Sequence, residues 1–249
     1  MNQIHTTLPP LIVEPGCTAG ASEAVRGFVI RDAPPEAGFY LCQQPDGLTL
    51  YHAQAPATDR GLRIDLLDAS VDKRAAGGRR SPLAGALGLR RHPGAQVLDT
   101  TCGLGRDSAT LAALGCQVVA IERHPVLFAL VADARERARL AAPAWLANWP
   151  TLIHADARAW LTVADAAPFD VIYIDPMFDT PRRKARPQKA LAWMHELIGT
   201  DGDAAELLAC ARTRATRQVV VKQHARAAPL AKPDRQVEGK AIRFDIYLS

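Results

Sequence analysis

The sequence predicts an α/β fold: a mostly parallel sheet covered by helices on both faces, preceded by a small β-rich N-terminal part. Three observations predict it. From residue 95 onward, short apolar runs such as "QVLDTT", "QVVAIE" and "DVIYID" alternate with segments of helical period. These runs are nearly continuous in apolar residues, the pattern of strands buried on both faces. The first seventy residues hold shorter β-rich runs, and prolines at 34, 35, 45 and 56 exclude long helices there. The expected division is a β-rich subdomain over 1–70 and the α/β domain over 71–249.

The elements follow in order. Residues 39–43 and 48–53 flank Pro45-Asp46-Gly47, a turn signal that predicts a hairpin, and 62–67 is a candidate third strand. Residues 72–91 are rich in Gly, Ala and Arg and predict a flexible turn leading into a helix. Then come a strand over 96–101, a helix over 107–115 closed by Gly115, and a strand over 117–122. Residues 125–142 repeat their apolar positions at helical spacing. Further strands are expected over 151–156, 170–175, 218–222 and 242–248, with helical segments between them.

Composition narrows the class. A chain of 249 residues with 48% hydrophobic and 22% charged residues buries a proper core and reads as a soluble globular protein. The net charge of +4 permits an anionic partner without demanding one. Five cysteines, at 17, 42, 102, 116 and 210, form no C-x-x-C pair, which argues against a disulfide framework and a zinc site and suits a reducing cytosol. The first residues lack a basic start followed by a long apolar run, so no signal peptide is expected. No run approaches the roughly 18 apolar residues of a membrane helix. A cytoplasmic protein without membrane or metal is the expectation.

The candidate site lies at the strand ends. In "LDTTCGLGRD", Gly103 and Gly105 allow the backbone to approach a ligand, although a plain tight turn explains a lone G-x-G equally well. Arg106 and Asp107 stand where a third glycine would complete a dinucleotide fingerprint, which disfavours a nicotinamide dehydrogenase. Glu122 ends the second strand of the α/β part, where a carboxylate accepts the hydroxyls of a ribose; Asp156 and Asp175 end the third and fourth. Acids at the carboxyl ends of neighbouring strands suit a ligand with a ribose, a cationic centre and no phosphate. S-adenosylmethionine is such a ligand.

The stretch "VIYIDPMF" adds the acceptor side. Asp-Pro-(Pro)-aromatic at a strand end resembles the signature of class I methyltransferases, which are Rossmann-like, acting on exocyclic amines. An exocyclic amine on a purine is a poor nucleophile because its lone pair is delocalised into the ring. The carboxylate of Asp175 and a backbone carbonyl accept its N–H bonds, Pro176 stiffens the backbone, and Phe178 offers a face for stacking a splayed-out base. Met177 stands where such enzymes often carry a second proline.

"VLDTTCGLGRD", "GCQVVAIERHPV", "LIHADA", "VIYIDPMF", "VVVK" and "RFDIYL", in this order and spacing, resemble the RsmJ family from about residue 62 to the C-terminus. These bacterial enzymes methylate the 2-amino group of a guanine in 16S ribosomal RNA of the small subunit. The resemblance implies cofactor contacts at Arg106 and Asp107, Glu122 and Arg123, Asp156 and Ala157, and Asp175. The family's His-Arg-rich, triple-glycine segment is here "DKRAAGGRRS", with two adjacent glycines and no histidine.

Basic residues flank the motif. Lys73, Arg74, Arg79, Arg80, Arg90 and Arg91 precede the first strand of the α/β part, and Arg182, Arg183, Lys184, Arg186 and Lys189 follow Asp-Pro-Met-Phe, placed to hold RNA phosphates. A solvated charged loop is the plain alternative. Two other functions stay open at this point: an amino-methyltransferase of adenine or cytosine in RNA or DNA, and a non-catalytic RNA-binding factor of ribosome assembly.

Overall fold

Four short strands come first in the computed structural model, which describes residues 8–17, 25–163, 168–177, 189–199 and 202–249. β1 (Leu11–Val13), β2 (Ile30–Arg31), β3 (Phe39–Gln44) and β4 (Gly47–His52) form a sheet of order β2-β1-β3-β4. β3 and β4 are the expected hairpin, paired antiparallel from Phe39–His52 to Gln44–Gly47. β1 and β2, at three and two residues, are too short to carry a periodic signal. The strand expected over 62–67 does not form; only Leu62 bridges back to Leu50. Side chains take its backbone groups instead. Arg137 Nη2 donates to the Ile64 carbonyl at 2.6 Å, and Asp65 Oδ1 accepts the Leu67 N–H at 2.9 Å.

Residues 72–91 are more ordered than their composition suggests. They hold α1 (Ala69–Ala76), a short 3-10 turn at Gly78–Arg80, and α2 (Pro82–Leu87). Asp68 caps α1 through the Ser70 N–H, and Ser81 caps α2 through the Ala84 N–H. Pro82 opens α2 and Gly88, at φ +72°, closes it.

The remaining elements are β5 (Gln96–Asp99), α3 (Arg106–Ala113), β6 (Gln117–Glu122), α4 (Pro125–Ala141), β7 (Thr151–His154), α5 (Ala157–Val163) and β8 (Phe169–Ile174). After these come α6 (Lys189–Ile198), α7 (Ala204–Arg212), β9 (Ala215–His224), β10 (Arg235–Glu238) and β11 (Ile242–Leu248). The sheet order is β10-β11-β9-β8-β5-β6-β7. The five strands from β9 to β7 are mutually parallel, and β11 and β10 are added antiparallel. β10 is an addition to the expected elements: "RQVE" has no apolar pattern, and its edge position asks for none.

Alternate residues of the central strands go to opposite faces. Val97, Ala120 and Val220 join one buried cluster with α3 and α4, while Leu98, Ile121 and Val221 join another with α5 and α7. Leu11, Leu41, Leu48 and Leu50 of the smaller sheet belong to the first cluster, so the two sheets share a core. Among the described residues no helix is long and apolar enough to cross a membrane.

The chain winds outward from β5 through β6 to β7, then returns to β8 on the other side of β5. That reversal opens a crevice at the carboxyl ends of β5 and β8, where open α/β sheets bind their ligands.

Candidate active site

A cavity of about 500 Å³ occupies this crevice. Its floor is the loop after β5, tied to β8 by two threonines. The N–H and hydroxyl of Thr100 both donate to the Tyr173 carbonyl, at 3.0 and 2.9 Å. The Thr101 hydroxyl accepts the Asp175 N–H at 2.6 Å. Beneath them Asp99 is fully buried, accepting the Thr101 N–H and the Ser108 hydroxyl, and burial pushes its carboxyl up to about 7. Asp99 props the loop from below and does not line the cavity.

The two glycines of the loop differ. Gly103, at φ +56°, lines the cavity and donates its N–H to Glu122 Oε2 at 2.7 Å. Gly105, at φ +72°, faces the core instead: a Cβ there would stand 3.0 Å from Trp149 and 3.2 Å from Val131. Gly105 is required for packing and for its left-handed backbone rather than for ligand approach. Gly105→Ala is expected to destabilise the fold by about 1–3 kcal/mol, read as a lower denaturant midpoint at unchanged slope.

Glu122 ends β6, 6% exposed and facing the cavity. Its second oxygen accepts the His124 N–H, also at 2.7 Å. Two backbone donors therefore fix the carboxylate at the cavity wall.

Asp156 follows β7 and caps α5, accepting the Arg158 N–H at 2.9 Å. Its side-chain bond to Arg158 holds the Asp156 carboxyl below the usual range. Arg158 reaches on to Asp203 and Glu206, and Arg123 reaches Asp203 at 2.6 Å. Arg123, Asp156, Ala157 and Arg158 all line the cavity. Asp203, at the start of α7, had no signal in the sequence beyond a charged loop.

The densest cluster joins α3, β8 and β9. Lys222 Nζ lies 2.7 Å from Asp107 Oδ2 and 2.7 Å from Asp175 Oδ2. The Tyr173 hydroxyl donates to Asp107 Oδ2 and Arg74 donates to Asp107 Oδ1, both at 2.7 Å. Burial opposes the charge on Asp107, yet Lys222, Tyr173 and Arg74 together hold its carboxyl below the ordinary value. Burial wins at Asp175 and raises it to about 6, against the pull of Lys222. Lys222 itself is disfavoured by burial but held above the ordinary lysine value by the two acids.

Pro176 and Met177 continue along the cavity wall, opposite Met194 of α6, and Arg106 joins the lining from the start of α3. Phe178, Arg182, Arg183, Lys184 and Arg186 lie outside the described residues, as do the side chains of Arg79 and Lys189. Arg80 is exposed and away from the cavity; Arg74, six residues earlier, lines it.

Among the described residues, five acids (107, 122, 156, 175, 203) and five cations (74, 106, 123, 158, 222) line the cavity. Charge alone therefore does not select a cationic ligand, because arginines and a lysine offset the acids, Arg74 and Arg158 among them from outside the motifs. Lys222 carried a signal, a charged residue directly after the apolar run "VVV". Arg74, expected among the phosphate-holding basic residues, instead meets Asp107, while Arg158 carried no signal that separates it from a solvated charge.

A sheet of this order, with a glycine loop after its first strand, an acid ending the second and Asp-Pro after the fourth, defines a class I S-adenosylmethionine-dependent methyltransferase. The family model described as "Putative SAM-dependent methyltransferase" matches residues 27–249. The ribosomal RNA small subunit methyltransferase J of Halorhodospira halophila is 42% identical over 94% of this chain and 90% of its own length. Its namesake in Thioalkalivibrio sulfidiphilus is 42% identical over 78% of this chain and 79% of its own. A crystal structure of a SAM-dependent methyltransferase from Neisseria gonorrhoeae superposes with a TM-score of 0.72 at 29% identity, covering 96% of this chain and 95% of that one. The chain belongs to the ribosomal RNA small subunit methyltransferase J family.

S-adenosylmethionine is the cofactor of this family, and the residues present fit it. The cavity has room for a nucleoside, and Glu122 presents a rigid carboxylate beside the Gly103 backbone.

Proposed function

We propose that the protein methylates the exocyclic 2-amino group of a guanine in 16S ribosomal RNA of the small subunit. The small-subunit substrate is carried by the names of the relatives reported above. The observation that carries the chemistry is the placement of Asp175: it opens the Asp-Pro sequence, its N–H is anchored on Thr101, and one carboxylate oxygen is held by Lys222 at the cavity.

Bound S-adenosylmethionine supplies a methyl group on a cationic sulfur. Glu122 accepts the ribose hydroxyls, while Gly103 keeps the loop clear of the ligand. Arg106, Asp107, Arg123, Asp156 and Ala157 complete the cofactor wall. Asp175 Oδ1 and the Pro176 carbonyl accept the two N–H bonds of the guanine amine, which turns its lone pair out of the ring plane. Asp175 would take the proton released as the nitrogen–carbon bond forms and the sulfur–methyl bond breaks, the demethylated cofactor leaving as a neutral thioether. Phe178 stacks on the base. Arg79, Arg80, Arg182, Arg183, Lys184, Arg186 and Lys189 neutralise phosphates on either side. A cytoplasmic location follows from this substrate.

The test incubates the protein and S-adenosylmethionine with unmethylated 16S RNA and with small subunits, followed by mass spectrometry of nuclease digests. N2-methylguanosine at one position is expected. N6-methyladenosine or N4-methylcytosine would assign a different base to the pocket, and no methylated nucleoside with either substrate would sink the reading.

A further inference from the structure

Lys222 has no role in the chemistry above, yet its surroundings are specific. Val219, Val220 and Val221 are fully buried, and position 222 is where β9 first presents a charge after that apolar run. Tyr173 pairs with Val220 and Ile174 with Val221, which sets Lys222 level with Asp175 on the neighbouring strand. Its ammonium then lies between two carboxylates at equal distances of 2.7 Å.

The two acids are unequally supplied. Asp107 receives Lys222, Arg74 and the Tyr173 hydroxyl, whereas Lys222 is the side-chain donor to Asp175 among the described residues. Asp175 is also the more open of the two, with 35% of its side chain exposed against 14% for Asp107.

We propose that Lys222 is a positioning residue for methyl transfer: it fixes Oδ2 of Asp175, so that Oδ1 faces the amine, and keeps that carboxylate ionised. The inference rests on the role given to Asp175 above. A protonated Asp175 donates where it must accept, and it has no room for the amine's proton. The groups facing Asp175 are Lys222 of β9, Asp107 of α3, Arg74 of α1, Tyr173 of β8 and the buried Asp99 of β5. Burial and Asp107 raise its carboxyl; Lys222 is the main group lowering it, with Arg74 behind. Among the described residues Asp107 and Asp175 are balanced by Lys222 and Arg74, with Asp99 buried beneath them. Removing Lys222 leaves one excess negative charge, and Asp175 bears it because Asp107 keeps Arg74 and Tyr173.

The experiment measures kcat against pH at saturating cofactor and RNA, where the acidic limb reports a group in the enzyme–substrate complex. The wild-type limb is expected to report ionisation of Asp175, which burial and Asp107 place above the ordinary carboxylate value. Lys222→Met is expected to move it upward by about one pH unit or more, so that activity lost at neutral pH returns on the alkaline side. Asp107→Asn removes a neighbouring negative charge and is expected to move the limb down. Lys222→Arg keeps the charge and is expected to keep the limb with a lower kcat. Loosened packing cannot shift the two limbs in opposite directions. If Lys222→Met fails to fold, the downward shift of Asp107→Asn and the retained limb of Lys222→Arg decide.

Unshifted limbs in Lys222→Met and Asp107→Asn overturn the proposal. If Asp175→Ala is inactive in that case, the reading of Asp175 stands and only the lysine's role is lost. An active Asp175→Ala enzyme overturns both.

Discussion

Asp175→Ala is expected to lower kcat by about 10²- to 10³-fold, the usual cost of removing one preorganised group that acts on the transition state. The fold should survive. Deleting one partner of a buried ion pair is costly when the other charge is stranded, but Lys222 retains Asp107 at 2.7 Å. The Asp175 N–H bond to Thr101 involves only the backbone and remains. Because the family pattern also places Asp175 among the cofactor contacts, cofactor affinity is measured separately, by calorimetry. Near-normal binding with lost turnover is the expected pair of results. An Asp175→Ala protein that turns over at the parent rate removes the amine-orienting mechanism.

Glu122→Ala should raise the dissociation constant for S-adenosylmethionine by about 10- to 150-fold, equivalent to about 1.5–3 kcal/mol for hydrogen bonds to a charged group. Two effects act together. The ribose loses its charged acceptor, and the Gly103 and His124 N–H groups lose theirs. Glu122→Gln separates them, since its amide oxygen still accepts one N–H and cannot serve both the loop and the ribose. It should fall between the parent and Glu122→Ala. Unchanged affinity in a folded Glu122→Ala protein would withdraw the ribose assignment.

The ends of some strands were legible in the sequence because their signal is local, although β9 runs over Ala215–His224 where 218–222 was expected and β5 stops at Asp99 rather than at 101. "QVVAIE" coincides with β6, a run apolar because both faces are buried, and "IRFDIYL" with β11, whose buried Arg243 and Asp245 pair with each other. The same rule placed Glu122 and Asp175 at a crevice before any sheet order was known. Capping chemistry was equally local: Ser81-Pro82 and Gly88 delimit α2, although the glycines and arginines around them suggested a turn.

What only the tertiary structure decided depends on neighbours distant in the chain. Nothing in "VIYID" specifies that β8 pairs with β5, yet that pairing brings Asp175 to Thr101 and creates the crevice. Gly103 and Gly105 look alike in "CGLG"; they differ because one missing Cβ faces the cavity and the other faces Trp149 and Val131. Leu62–Leu67 has the composition of a strand, but Arg137 and Asp65 satisfy its backbone and no ladder forms. The balance of charge in the site was hidden for the same reason. Nothing in the sequence says which acids Arg74, Arg158 and Lys222 meet; folding brings Arg74 to Asp107, Lys222 to Asp107 and Asp175, and Arg158 to Asp156, Asp203 and Glu206. A strand end is set by the solvation of its own residues, whereas an ion pair falls off with distance and exists only once the sheet has brought its two charges together.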